Sequence, residues 1–499
     1  MEKECIRLEN FSNDVLQETE QRNEILRTAC INGHTSLVRH LVTKYSCDLN
    51  ARDKNGDTPF TCVGFGGSVE CLELLINEFH CDINTKGAIG RTILHQACDN
   101  GYTSLVRHLV TKYSCDLNAR DTNGETPFTC VGFGDSVECL ELLINEFHCD
   151  INTKSAIGRT ILHHACSNGH TSMVRHLVTK YSCDLNARDT NGETPFTCVG
   201  FGGSVECLEL LINEFHCDIN TKGAFGRTIL HTACDKGHTS LVRHLVTKYS
   251  CDPNARDTNG ETPLSCVGFG GSVECLELLI KEFHCDINTK SAIGRTILHH
   301  ACSNGHTSLV RHLVTKYSCN LNARDTNGET PFTCVGLGGS VECLELLINE
   351  FHCDINTMGA FGRTILHKAC DKGHTSLVRH LVTKYSCDLN ARDTNGESPF
   401  TCVGFGGSVE CLELLINEFH CDINTKDAFG RTILHNACAE GHINHLRALV
   451  LKYGCDCQDV HSEVSNVRMI VEKMKRNWRG MKYFELMEKT NDGISKLAS

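Results

Sequence analysis

The chain reads as an all-α solenoid of stacked helix-turn-helix units, and three observations lead there. A phrase ending in a tyrosine recurs at Tyr45, Tyr113, Tyr181, Tyr249, Tyr317, Tyr385 and Tyr453, every 68 residues and without insertion. Each period divides again at Gly158, Gly192 and Gly226, so the unit is 34 residues long. Within each unit, two stretches with apolar residues at helical spacing are separated by glycine. Odd units start near 22, 90, 158, 226, 294, 362 and 430. Even units start near 56, 124, 192, 260, 328 and 396.

One unit shows why it folds this way. Thr160 is placed to cap a helix whose apolar positions are Ile161, Leu162, Ala165 and Cys166. Gly169 stops it, because a helix end commonly needs a residue with positive φ. A second helix, from Ser172 to Lys180, places Met173, Val174, Leu177 and Val178 on one face. Asp189-Thr190-Asn191-Gly192 then supplies a tight turn. Two short helices cannot bury their apolar faces alone, so stability accrues by stacking on neighbours.

The unit resembles the ankyrin repeat. The odd unit carries Gly158, Thr160, Leu162, His163, Ala165, Gly169, His170, Asp184 and Asn186 of that pattern, with Ile161 in place of proline. The even unit keeps Gly192, Thr194 and Pro195 but has Thr197 where histidine is usual. The resemblance covers thirteen units, residues 22–455. It implies a curved right-handed stack whose concave face, built from hairpin tips and first helices, binds other proteins. It also implies that His163-type residues bond backbone and order the hairpin. Finally, Asn50, Asn118, Asn186, Asn254, Asn322 and Asn390 lie where asparaginyl hydroxylation is often found in the family, against the plainer reading of turn asparagines bonding their own backbone.

The flanks read as caps, because terminal units need a polar outer side. Residues 1–21 form a polar N-terminal cap. Residues 456–499 form a helical cap or tail, with Val464, Val467, Val471, Met474 and Trp478 on one face and basic residues such as Arg468, Lys475 and Arg479 opposite. Covering the end of the stack is favoured over membrane contact by this basic helix.

Composition narrows the function. The 499 residues carry a net charge of −13, which argues against nucleic acid along the whole length. No apolar run is long enough to span a bilayer, and the start lacks a signal-peptide core. A cytoplasmic or nuclear home follows, and the 34 cysteines read as buried thiols rather than disulfides or metal ligands. The glycine-rich Gly200-Phe201-Gly202-Gly203-Ser204 follows a helix and lacks a phosphate-loop lysine, so it reads as a turn. Copies of one unit do not converge on a single pocket, so no catalytic, cofactor or metal residues are assigned.

The copies differ at a few places. The residue after the motif histidine is Gln96, His164, Thr232, His300, Lys368 or Asn436. The residue two further before the turn glycine is Asp99, Ser167, Asp235, Ser303 or Asp371. The hairpin residue alternates as Gly87, Ser155, Gly223, Ser291, Gly359 and Asp427, in keeping with duplication of a 136-residue block. These positions are the candidate partner contacts, with drift at exposed sites as the rival explanation. The preferred function is a non-catalytic protein-interaction scaffold, in which charge reversal at Lys368 weakens binding with little change in helicity. A mechanical spacing rod, and an adaptor that recruits a second partner through its C-terminal helix, are the alternatives.

Overall fold

A computed structural model describes residues 19–455; most of the polar cap expected at the start and the basic helix expected after residue 455 lie outside the described residues. Among the described residues all regular structure is helical, apart from an isolated bridge between Lys222 and Thr228. The chain divides into two compact units. The first runs to Asp252 and includes Arg256–Thr258; the second comprises Pro253–Ala255 and everything from Asn259.

Each unit is a stretch of α-solenoid. In the first, the helix Ile161–Asn168 packs on Pro195–Gly202, which packs on Ile229–Lys236. The longer partners, Thr171–Tyr181 and Val205–Asn213, form a second layer. The second unit repeats this with Ile297–Ser303, Pro331–Gly338 and Ile365–Asp371 in one layer. The core between the layers is the apolar stripe read from the sequence: Leu162, Ala165, Met173, Val174 and Leu177 are all within 1% of full burial. Fully burying a side chain of this kind contributes about 1.5–3 kcal/mol. No single repeat buries its own stripe, which is why the repeats hold only as a stack.

Helix ends follow the expected chemistry with one refinement. Thr194 and Thr197 form a reciprocal capping box: Thr197 N–H donates to Thr194 Oγ1 at 3.2 Å, and Thr194 N–H to Thr197 Oγ1 at 2.9 Å. In odd units the histidine supplies the return bond. His163 Nδ1 accepts from Thr160 N–H at 3.2 Å and lies 2.9 Å from the Thr160 hydroxyl. Gly169 is left-handed at φ 73°, as its position demanded. The three glycines of the suspected phosphate loop have packing causes. A Cβ on Gly200 would sit 2.8 Å from Thr232 Cβ, one on Gly202 2.3 Å from Ser167 O, and Gly203 is a left-handed helix stop.

One even unit departs from the rest. Its first helix is only Pro127–Cys130, and the residues after it are turns. Asp135 stands where the others have a left-handed glycine, and Asp135 does not take positive φ, so the helix cannot end in the same way. At the start of the described residues, the helix Thr19–Ile31 runs straight across residues 21 and 22. The second helix of the last repeat widens after Ile443–Arg447 into a π turn at Ala448–Lys452.

Candidate binding surface

The hairpins form a hydrogen-bonded ladder. In the first unit Thr122 N–H donates to Ile89 O at 2.9 Å, Ala156 N–H to Asn123 O at 3.2 Å, and Thr190 N–H to Ile157 O at 2.8 Å. In the second unit Thr326 N–H donates to Ile293 O and Thr394 N–H to Phe361 O, both at 2.9 Å. Ion pairs tie the same hairpins from below. Arg159 Nε meets Asp189 at 3.0 Å, and Arg91–Asp121, Arg295–Asp325 and Arg363–Asp393 repeat the contact. The aspartates have no side-chain exposure, and Asp189 Oδ1 also accepts the N–H groups of Asn191 and Glu193 at 2.9 Å. Burial drives the Asp325 carboxyl up, but these backbone N–H groups and Arg295 outweigh it and hold it below the ordinary value.

The motif histidine locks the hairpin of the next unit. His163 Nε2 donates to Glu193 O at 3.3 Å, and His95 Nε2 reaches both Ala119 O and Glu125 O. Burial depresses these imidazoles, pushing His163 down to about 4, so they fold neutral. Backbone bonding by this histidine therefore stands as the resemblance implied. The second histidine of the repeat is also structural: His170 Nε2 reaches Phe133 O at 2.7 Å, and Tyr102 does the same work on Phe65 O.

Among the described residues most cysteines are buried and the rest are half-buried. Cys166 is fully buried and its thiol meets that of Cys207; burial raises it far above the ordinary thiol value. Burial also pushes Cys183 up to about 11 and Cys198 up to about 12. A thiol held protonated in this way is a poor nucleophile and a poor ligand. Among the described residues no group of three or more His, Cys, Asp and Glu side chains is arranged to hold a metal ion.

The variable residues after the motif histidine are not on the surface. Gln96, His164, Thr232, His300, Lys368 and Asn436 are 2–6% exposed. Their expected role as direct partner contacts is corrected on this point. Each lies against a glycine of the preceding even unit, where the missing side chain lets two backbones approach: Gly64 faces Gln96, Gly132 His164 and Gly336 Lys368. Four of the six also meet a buried acid of the preceding even unit. His164 Nε2 lies 3.2 Å from Glu125, His300 Nε2 3.2 Å from Glu261, and Lys368 Nζ pairs with Glu329. Asn436 Nδ2 donates to Glu397 at 3.3 Å. Charge reversal at Lys368 would thus set two carboxylates together inside the protein, so the expectation of little change in helicity is withdrawn as well.

The hairpin residues of the alternating series belong to these same junctions. Ser155, Ser291 and Asp427 are buried. At the other three junctions the acid occupies the space itself: a Cβ would lie 2.1 Å from Asp57 Oδ1 on Gly87 and 1.9 Å from Glu193 Oε2 on Gly223. Burial pushes the Glu125 carboxyl up, but His164, Thr129 and Ser155 together hold it below its ordinary value. At the last junction burial, with the Asp427 charge beside it, raises Glu397.

The other candidates are half-buried. Asp99 pairs with Arg91 at 2.8 Å, Asp235 lies 3.9 Å from Arg227, and Asp371 lies 3.6 Å from Lys372. Ser167 and Ser303 have the same partial exposure. Their neighbours Asn100, Asn168, Lys236, Asn304 and Lys372 are exposed. The loop asparagines Asn50, Asn118, Asn186, Asn254, Asn322 and Asn390 are exposed too. In most of these turns the preceding acid does the bonding expected of the asparagine, as where Asp184 Oδ1 accepts Asn186 N–H at 2.8 Å.

Sequence reasoning passed over the hairpin tips. Of nine exposed large apolar side chains among the described residues, seven lie on odd hairpins: Ile89, Ile157, Phe225, Ile293, Met358, Phe361 and Phe429. Ile89, Phe225 and Phe361 are left-handed, at φ 47°, 53° and 56°. A bulky residue held there costs on the order of 1–3 kcal/mol. The signal was present, since an apolar residue inside a Gly-Ala-x-Gly turn contradicts turn chemistry.

No helix among the described residues is long and apolar enough to cross a membrane. A search of curated proteins finds no match to the chain. The family profile described as ankyrin repeats, three copies long, matches in overlapping placements from residue 26 to residue 461. Ankyrin repeats are generally protein–protein interaction modules, and proteins built of them are generally non-catalytic. With the family's helix pairs, hairpin histidines and stacked layers in place over most of its length, the chain belongs to the ankyrin-repeat family.

Proposed function

We propose that this chain is a non-catalytic scaffold that binds partner proteins along the face made by its hairpins and first helices, the face that is concave in this family. The exposed apolar tips carry this reading. Soluble proteins scatter exposed apolar side chains singly, whereas an ordered row marks an interaction site. In this reading the exposed residues at the ends of the first helices, Asn168 and Lys236 among them, and the half-open Asp99, Ser167, Asp235, Ser303 and Asp371 supply polar rim contacts. The buried set from Gln96 to Asn436 shapes this face only indirectly, by fixing each junction beneath it.

The second-helix side supports the opposite role. There Glu209 is satisfied by Lys248 at 2.6 Å, Tyr249 at 2.9 Å and His244, and the same cluster recurs at Glu73, Glu141, Glu277 and Glu345. Such clusters tie consecutive repeats together. Affinity capture from the protein's own cells separates the two sides. With Phe225→Ser and Phe361→Ser together, partners held by the intact chain are expected to be lost. With Lys248→Ser they are expected to be retained. Loss in the second variant and retention in the first would overturn the assignment.

A further inference from the structure

We infer that the odd hairpin tips act as a spacer-matched row for an extended, acidic polypeptide segment whose large apolar side chains fall at every second repeat. The inference rests on the scaffold reading and specifies its partner. The first unit presents Ile89, Ile157 and Phe225, each exposed. Between them stand the exposed polar tips Asn123 and Asn191. The second unit has the same alternation, with Ile293, Phe361 and Phe429 separated by Asn327 and Asn395.

The tips are retained against the preference of the fold. Phe225 and Phe361 are 66% and 65% exposed, so their rings add little to the core. Yet both sit in a left-handed conformation that glycine or asparagine would take without strain. A strained, exposed aromatic ring is accounted for by something outside the chain. The ladder of hairpin hydrogen bonds then fixes the separation of one tip from the next. Packed helices lie about 8–10 Å apart, so every second tip recurs at roughly 16–20 Å. An extended chain advances about 3.3 Å per residue and covers that distance in about five or six residues.

Charge selects the partner's sign. Lys86, Lys154 and Lys222 are exposed three residues before each tip of the first unit, and among the described residues none of the three is paired with a carboxylate. Arg120 and Arg188 add exposed guanidinium groups, whose Nη1 atoms donate to carbonyl oxygens rather than to acids. The aspartates nearest in sequence, Asp82, Asp150 and Asp218, accept N–H groups of their own loops. A protein of net charge −13 thus shows a positive edge beside its apolar tips. In the second unit Lys290 and Lys426 stand at the same place in sequence, three residues before Ile293 and Phe429, and Met358 stands three before Phe361.

The test uses the full chain and fluorescein-labelled synthetic peptides, read by anisotropy at low and at moderate salt. One peptide carries three leucines six residues apart in a Glu/Ser background. A second has the same composition with the leucines adjacent, and a third has lysine for every glutamate. The spaced acidic peptide is expected to bind about tenfold more tightly than either control. Phe225→Asn is expected to weaken that binding severalfold while raising the melting temperature, a combination that a purely structural role of the ring would reverse. Equal binding of all three peptides, or a Phe225→Asn variant with unchanged affinity, would overturn the inference. If it fails while the capture experiment still shows tip-dependent partners, the scaffold reading survives and only this partner class is lost.

Discussion

Two kinds of junction alternate along the stack, and they solve one problem in different ways. At Glu125 the acid meets an imidazole, with Ser155 on the hairpin and His164 on the helix under the Phe133 ring, whose centroid is 4.2 Å away. At Glu193 the acid turns instead to the Thr197 hydroxyl at 2.6 Å and fills the space left by Gly223, with Thr232 on the helix. The second unit shows both again, at Glu261–Ser291–His300 and at Glu329–Gly359–Lys368. At Glu329 the aromatic ring is replaced as well, by Leu337. The variable residues therefore change as sets. What varies between copies is the group set against a buried carboxylate, which matters because an uncompensated buried charge is costly.

The largest effect is expected where a set is broken by charge. Lys368→Glu places a second carboxylate against Glu329 at a position 6% exposed. A loss on the order of 3–5 kcal/mol is expected, read by chemical denaturation and by loss of helicity in the surrounding repeats. The frame common to both junction kinds supplies the next effect. His163 must stay neutral, and its folded value of about 4 lies below the unfolded value of about 6.5. Its stability is fully present above the unfolded value and is lost as pH falls from there toward 4. By pH 5 this amounts to about 2 kcal/mol, and His95, His299 and His367 shift in the same direction. The melting temperature is thus expected to drop steeply below pH 6.5, and His163→Gln to blunt the drop.

Smaller changes sharpen the comparison. Gly223→Ser alone forces Glu193 out of its place and is expected to cost about 1–2 kcal/mol. Adding Thr232→His, which completes the other kind of junction, is expected to recover most of it. Asp135→Gly, which restores the left-handed helix stop seen at Gly67 and Gly203, is expected to stabilise by about 0.5–1 kcal/mol in thermal melts.

Local chemistry wrote much of this fold into the chain. The 34-residue period, the helix pair, the Gly169 stop and the buried face from Leu162 to Leu177 follow from spacing and composition. The burial of Gln96 through Asn436 does not, because it depends on glycines such as Gly200 that lie in a different repeat and act only after stacking. The Arg159–Asp189 link joins hairpins 30 residues apart for the same reason. One trace was readable: Ser155 accompanies His164 and Ser291 accompanies His300, whereas Gly223 accompanies Thr232. That pairing records shared duplication and also physical contact around one acid. The left-handed tips at Ile89 and Phe225 ran against turn preference and so were hidden by it.

The most direct measurement is a double-mutant cycle on Glu329 and Lys368, using Glu329→Gln, Lys368→Met and both together in the full chain. Urea denaturation followed by circular dichroism gives the four stabilities, that of the unsubstituted chain included. If the variable residues are matched to the buried acids, each single change costs more than the double change implies, with a coupling of about 2 kcal/mol. A coupling of zero within error, with the spaced acidic peptide losing affinity for the stable Lys368→Met chain, would return Lys368 to the role of a partner contact.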